Sequence, residues 1–179
     1  GRGKRAIEDH FDYSFELDKT LVEKNKLDLV KQVRRISEMA KFSYVRQPLP
    51  LGDGHALACA AHLVYDEPVL VMFGDTLYDA DEGPASQVLR TFAKYGDPVI
   101  GLSAVDRQEV SKFGVIDGLA LADNIYEIKR FIEKPNPQEA PSNLVAVGVY
   151  VITPDVLNTL ATMKPQPNGE LRLADAFRQ

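Results

Sequence analysis

"PVLVMFGD", Pro68 to Asp75, is the stretch on which the fold turns. An unbroken apolar run, Val69 to Phe73, is stopped by Gly-Asp. The run is too short for a stable helix and lacks the apolar–polar alternation of a half-exposed strand. It therefore reads as a strand covered on both faces, as in the interior of an α/β sheet. The neighbouring patterns agree. Ala56 to Val64 before it and Ala85 to Tyr95 after it are helical, and "PVIGLSAV" (Pro98 to Val105) is again strand-like. Strand, helix, strand in succession predicts α/β with a largely parallel sheet.

Further along, "FGVIDGLAL" (Phe113 to Leu121, with an Asp117-Gly118 turn), "YEIKRFIEK" (Tyr126 to Lys134) and Leu144 to Thr153 are three strands without intervening helices. The sheet should become mixed there. Pro154 then suits the first position of a helix over 155–163. Toward the start, Ala6, Ile7 and Phe11 line a short helix, and Ser14 caps a second one bearing Leu17, Leu21 and Val22. Leu29, Val33 and Ile36 share one side of a third, and Phe42 to Arg46 reads as a strand. Both ends read as cut: no strand precedes the first helix, and "GELRLADAFRQ" closes inside a helical pattern.

A chain of 179 residues, 45% hydrophobic, is expected to form one domain over 1–179. Its 21 basic and 26 acidic residues leave a net charge of −5, a poor collector of polyphosphate backbones, so no nucleic-acid partner is expected. No apolar run approaches the roughly 20 residues that cross a bilayer, and the basic start lacks the apolar core of a signal peptide. No membrane partner is expected, and the setting reads as cytoplasmic. Cys59 reads as a small core residue. His10, His55 and His62 show no metal-ligand spacing and read as structural, His55 lying nearest any ligand.

Three places carry chemistry. In "VRQPLPLGDGHA", Gly52 and Gly54 allow a ligand close to the backbone, and the helix that follows offers amide groups and a positive dipole end. Gln47 adds an amide able to pair with a base edge. A plain strand-to-helix turn capped by Asp53 is the alternative. Asp75 stands where open α/β sheets bind ligands and suits Mg²⁺, a hard cation that shares oxygen donors with substrate phosphates. A turn aspartate is the alternative there. In Glu133-Lys134-Pro135, a carboxylate for sugar hydroxyls and an ammonium for phosphate adjoin, against the alternative of a surface tripeptide. In a regular strand the two would point apart, so a local twist is required for both to meet one ligand.

Taken in order, "GRGKRAIEDHFD", "VRQPLPLGDGHA", "FGDTLYD", "KFGVID", "IEKPNPQEAPSNLVAVGVYVITP" and "NGELRLADAF" resemble the bacterial UTP–glucose-1-phosphate uridylyltransferases along essentially the whole chain. The resemblance implies a Rossmann-like mixed, mostly parallel sheet, truncated at both ends. It implies Mg²⁺ as cofactor and UTP, glucose 1-phosphate and UDP-glucose as small-molecule partners. By match, Gln47 and Gly52 would contact uridine, Asp75 would hold the metal, and Gly114 would present backbone to the sugar. Glu133 would bind glucose hydroxyls and Lys134 the sugar phosphate, which makes Lys134 and Asp75 the catalytic candidates.

The chain departs from the family pattern at Asp53, where leucine is usual, and at Arg172 and Ala174, where Gln and Thr are usual. The Gly-rich triphosphate loop and a second metal aspartate have no counterpart, so the chain resembles the interior of such an enzyme and full transfer activity is not expected of it alone. A non-catalytic sugar-nucleotide-binding or assembly module, and a transferase using dTTP or another hexose 1-phosphate, are the competing readings. Exposed sheet edges point to a homo-oligomer.

Overall fold

Strand β5, Leu144–Ile152, organises the sheet in the computed structural model, which describes residues 3–167 and 169–177. Contacts divide the chain into two compact units, residues 1–50 and 51–179.

The first unit is helical: α1 (Arg5–Phe11), α2 (Phe15–Glu23) and α3 (Leu27–Ser37). Among its described residues the buried side chains are Val30 and Asp18. The Arg34 guanidinium grips the Asp18 carboxylate from α3 to α2, Nε to Oδ1 at 2.7 Å and Nη2 to Oδ2 at 2.8 Å. Leu29, expected on the inner side of α3, is exposed; the inward face runs through Val30, Val33 and Ile36. Phe42 to Arg46 does not form a strand. Its aromatic rings stack instead, Phe42 on Phe11 at 4.7 Å and on Tyr44 at 6.4 Å, and the Tyr44 hydroxyl donates to the Glu8 carbonyl.

The second unit contains α4 (Asp53–Ala60), β1 (Val69–Met72), α5 (Pro84–Tyr95), β2 (Val99–Ala104), β3 (Gly114–Ala122), β4 (Ile125–Glu133), β5, α6 (Pro154–Thr162) and the short α7 (Leu173–Ala176). The open sheet with helices matches the α/β expectation, but the mostly parallel pairing does not hold. Among the described residues all four strand pairs are antiparallel: β1 with β5, β2 with β5, β3 with β4, and β3 with β5. The physical reason is an insertion. β1 and β2 run the same way with α5 between them in sequence, yet β5 lies between them in the sheet. Val151 pairs with Leu70 of β1 and with Val99 of β2, so the two occupy opposite edges of β5. β3 lies on the edge that β1 uses, because β2 already pairs with Val145 from the other side.

The period of two along β5 sorts the core. Tyr150 and Ile152 belong to a cluster with Val156, Leu157, Leu160 and Leu173 from α6 and α7, whereas Val149 and Val151 meet Val88 of α5. β1 is less covered than its composition predicts, Val71 being buried and Met72 exposed. The expected Asp117-Gly118 turn is a bulge: β3 continues through it and the register against β4 shifts by one residue. No helix of the described residues is long and apolar enough to cross a membrane.

Candidate functional site

The shared edge of β5 brings separate parts of the sequence to one place. Met72 pairs with Val149, and the Phe73 amide donates to the Gly148 carbonyl at 2.8 Å, after which Gly74 and Asp75 leave the sheet. On the same edge Val115 pairs with Val145, and its neighbour Gly114 pairs with Glu133. Gly148 and Val145 are three residues apart, about 10 Å of strand. The tip of β1, after which Asp75 follows, and the base of the β3–β4 hairpin, carrying Gly114, Glu133 and Lys134, therefore adjoin the same edge of β5.

Two tyrosines adjoin this edge of the sheet, and neither was singled out from the sequence. The Tyr78 hydroxyl donates to the Val147 carbonyl of β5. Burial raises the pKa of that phenol, and the nearby Asp75 carboxylate adds to the rise. Tyr150 is buried, its ring 5.6 Å from that of Phe73. Its phenol is pushed far up, first by burial and then by the negative charges of Asp53 and Glu133. The Asp53 loop and Glu133 thus act on one phenol. The available signal was a polar-tipped ring among the aliphatic residues of "LVAVGVYVI".

The twist required at Glu133-Lys134 is present. Lys134 has φ of 47°, a left-handed conformation, and its amide donates to the Phe113 carbonyl at 2.9 Å. Lys134 is exposed, Glu133 half-buried and Pro135 buried. Gly114 has its own packing reason to be glycine. A Cβ there would run into the Phe131 ring and lie 3.1 Å from Glu133 Oε2, so the carboxylate sits directly over the Gly114 backbone.

The Gly52–Gly54 loop behaves differently from the expectation. The helix that follows was read as offering free amides, but the first of them are taken by the protein itself. The Gly54 amide donates to Asp53 Oδ1 at 2.9 Å and the His55 amide to the Leu171 carbonyl at 3.3 Å. Asp53 Oδ1 also accepts from the Leu173 amide, the first residue of α7, at 3.2 Å. Gly52, with φ of 99°, has the Leu171 carbonyl 2.5 Å from where a Cβ would stand. The two glycines thus let the segment around Leu171 lie on this loop, and Asp53 clasps it. Neighbouring Arg172 pairs with Glu170; that carboxylate, and then those of Glu133 and Asp175, hold its guanidinium more firmly charged.

Gln47 is half-buried in the first unit, whereas the other candidates belong to the second. Among the described residues no group of three His, Cys, Asp or Glu side chains is arranged to hold a metal ion. His55 Nε2 lies 3.8 Å from Cys59 Sγ one turn along α4, and His62 Nδ1 lies 3.0 Å from the Cys59 carbonyl oxygen.

Residues 16–179 match the family described as nucleotidyl transferase. The chain belongs to that family. Nucleotidyltransferases of this kind generally use a divalent metal ion. This nucleotidyltransferase chain is 38% identical over all 179 residues to the UTP–glucose-1-phosphate uridylyltransferase YngB of Bacillus subtilis, covering 60% of that relative. Among solved structures, it resembles apo UDP-glucose pyrophosphorylase with a TM-score of 0.88 at 40% identity, covering 99% of this chain and 66% of that one. It also resembles UDP-glucose pyrophosphorylase complexed with UDP-glucose, with a TM-score of 0.84 at 39% identity, covering 99% and 65%. The chain spans 60 to 62% of the length of the curated relatives it matches.

Proposed function

We propose that this nucleotidyltransferase serves uridylyl transfer from UTP to glucose 1-phosphate, giving UDP-glucose and pyrophosphate. The observation that supports the reading is that the end of β1, which leads to Asp75, and the start of β3, which carries Gly114 beside Glu133, adjoin one edge of β5. In the reaction a phosphate oxygen of glucose 1-phosphate attacks the α-phosphorus of UTP. The bond to the bridging oxygen breaks and pyrophosphate leaves. No covalent enzyme intermediate is needed, so the protein contributes positioning and charge neutralisation.

Lys134, exposed beside the half-buried Glu133, is the group for the sugar phosphate, with Glu133 for the glucose hydroxyls and the Gly114 backbone beneath the sugar. Gly52 is the group in this unit for the uridine. Asp75, an exposed carboxylate after a strand tip that belongs to no group of three potential ligands among the described residues, fits Mg²⁺ shared with substrate phosphates rather than an ion caged by protein. That ion would supply charge neutralisation at the triphosphate. The family match spans both compact units, which supports reading them as one partial nucleotidyltransferase domain. The outer edges of β2 and β4, unpaired among the described residues, support self-association, and the reading places the protein in the cytoplasm.

A second reading, a module that binds sugar nucleotide without turnover, is favoured by one observation: the leading amides of α4 are already engaged by Asp53 and Leu171. Incubation with UTP, glucose 1-phosphate and Mg²⁺ separates the two. Pyrophosphate release supports transfer; saturable UDP-glucose binding without it supports the module. Within either reading, Lys134→Ala should weaken glucose 1-phosphate binding about tenfold, the scale of one charge-assisted hydrogen bond. Unchanged affinity would remove Lys134 from the site.

A further inference from the structure

We propose that Arg107 is a positioning residue for Lys134, acting by clamping the loop 134–143 that begins with that lysine. The inference rests on the phosphate-binding role given to Lys134 above. Arg107 opens a 3-10 turn, Arg107–Lys112, that runs beside the loop. Its guanidinium donates through Nε to the Pro137 carbonyl at 2.9 Å and through Nη2 to the Ala140 carbonyl. The same stretch of chain holds both ends of the loop. The Lys134 amide donates to Phe113 O at 2.9 Å, and at the far end the Val105 amide donates to Asn143 O at 3.1 Å while Asn143 Nδ2 donates back to Val105 O at 3.2 Å. Arg107 supplies the tie between them. Beneath the clamp Val110 and Ala140 share a buried apolar cluster with Val115 and Val145.

The chemistry requires arginine. Two carbonyls three residues apart are reached together by a planar fork of N–H donors, and a lysine ammonium is a single point that serves one of them well. The loop is also ordered from within: the amides of Glu139 and Ala140 donate to the Asn136 carbonyl, both at 2.9 Å. This arrangement leaves the carbonyls of Pro137 and Ala140 for the guanidinium. The clamp matters for Lys134 because a non-glycine residue in the left-handed region persists only where its surroundings over-determine it. An unclamped loop lets Lys134 relax and its ammonium wander.

The test compares the wild-type chain with Arg107→Ala, Arg107→Lys, Lys134→Ala and the double variant Arg107→Ala/Lys134→Ala. Amide hydrogen exchange and glucose 1-phosphate titration are the readouts. Exchange at Glu139 and Ala140 should rise about tenfold in both Arg107 variants, with the thermal midpoint little changed. Affinity for glucose 1-phosphate should fall about tenfold in both, and the double variant should bind no more weakly than Lys134→Ala alone. Unchanged exchange at those amides overturns the clamp. An Arg107→Ala loss of equal size with and without Lys134 overturns its action through that lysine. Lys134→Ala binding as tightly as wild type overturns the phosphate role of Lys134 instead, and the exchange result still decides the clamp.

Discussion

The two units solve the same problem with different means. Residues 51–179 bury Ile116, Ile152, Leu160, Leu173 and five valines almost completely around one strand. Residues 1–50 bury a valine and an aspartate, and leave Ile7, Phe15, Leu17, Leu27 and Met39 exposed. The sheet unit is held by close packing, in which each lost methylene is felt. The helical unit has too little covered apolar surface for that and relies on the part-buried Asp18–Arg34 pair and a short aromatic stack. Sensitivity to volume should therefore be concentrated in the second unit and sensitivity to charge in the first.

The strongest way to break that contrast is Ile152→Ala. Ile152 is fully buried between α6 and the sheet, and the cavity should cost about 2–5 kcal/mol. Denaturant unfolding of the sheet unit should register it while far-UV signals from α1 to α3 hold; a small loss spread over both units would contradict the division. Next in size, Gly114→Ala drives a methyl group into the Phe131 ring and toward Glu133, at a cost of about 1–3 kcal/mol. A crystal structure of that variant should show both side chains displaced.

Asp53→Ala is smaller. It removes the acceptor of the Gly54 and Leu173 amides and should cost about 1 kcal/mol, the scale of a lost helix cap. Accelerated exchange at Leu173 would report it directly, and unchanged exchange would show that the clasp is idle.

The smallest effect expected is acid loosening of the first unit. Arg34 holds the Asp18 carboxyl below the usual carboxylate range, although burial pushes the other way. A lowered folded-state value means the pair stabilises above the ordinary aspartate pKa of about 4 and is lost as pH falls through the lowered value. Half of the Arg34 side chain is open to solvent, which keeps the effect modest. Asp18→Asn should flatten the acid dependence of α2–α3 helicity, and an unaltered titration curve would discount the pair.

The elements were legible where local pattern determines them. Pro154 placed the start of α6, and the run "LVAVGVYVI" placed β5. A shared ligand at Glu133-Lys134 calls for a departure from regular strand, and Lys134 has φ of 47°. What escaped depends on partners distant in sequence. Nothing within Val69 to Phe73 states that β5, some 75 residues later, will be inserted beside it and reverse the pairing. The His55 amide of α4 looked available because its acceptor, the Leu171 carbonyl, comes from a segment near the other end of the chain. Phe42 to Arg46 has the composition of a strand, but its Phe42 ring stacks on Phe11 and its backbone joins no ladder among the described residues.

The backbone of Lys134 sets durability against usefulness at a single position. A left-handed lysine costs roughly 1–2 kcal/mol that glycine avoids and asparagine lessens. Selecting variants of this protein for heat resistance alone would therefore enrich glycine or asparagine at 134. The hardier molecules would have discarded the ammonium in the same step.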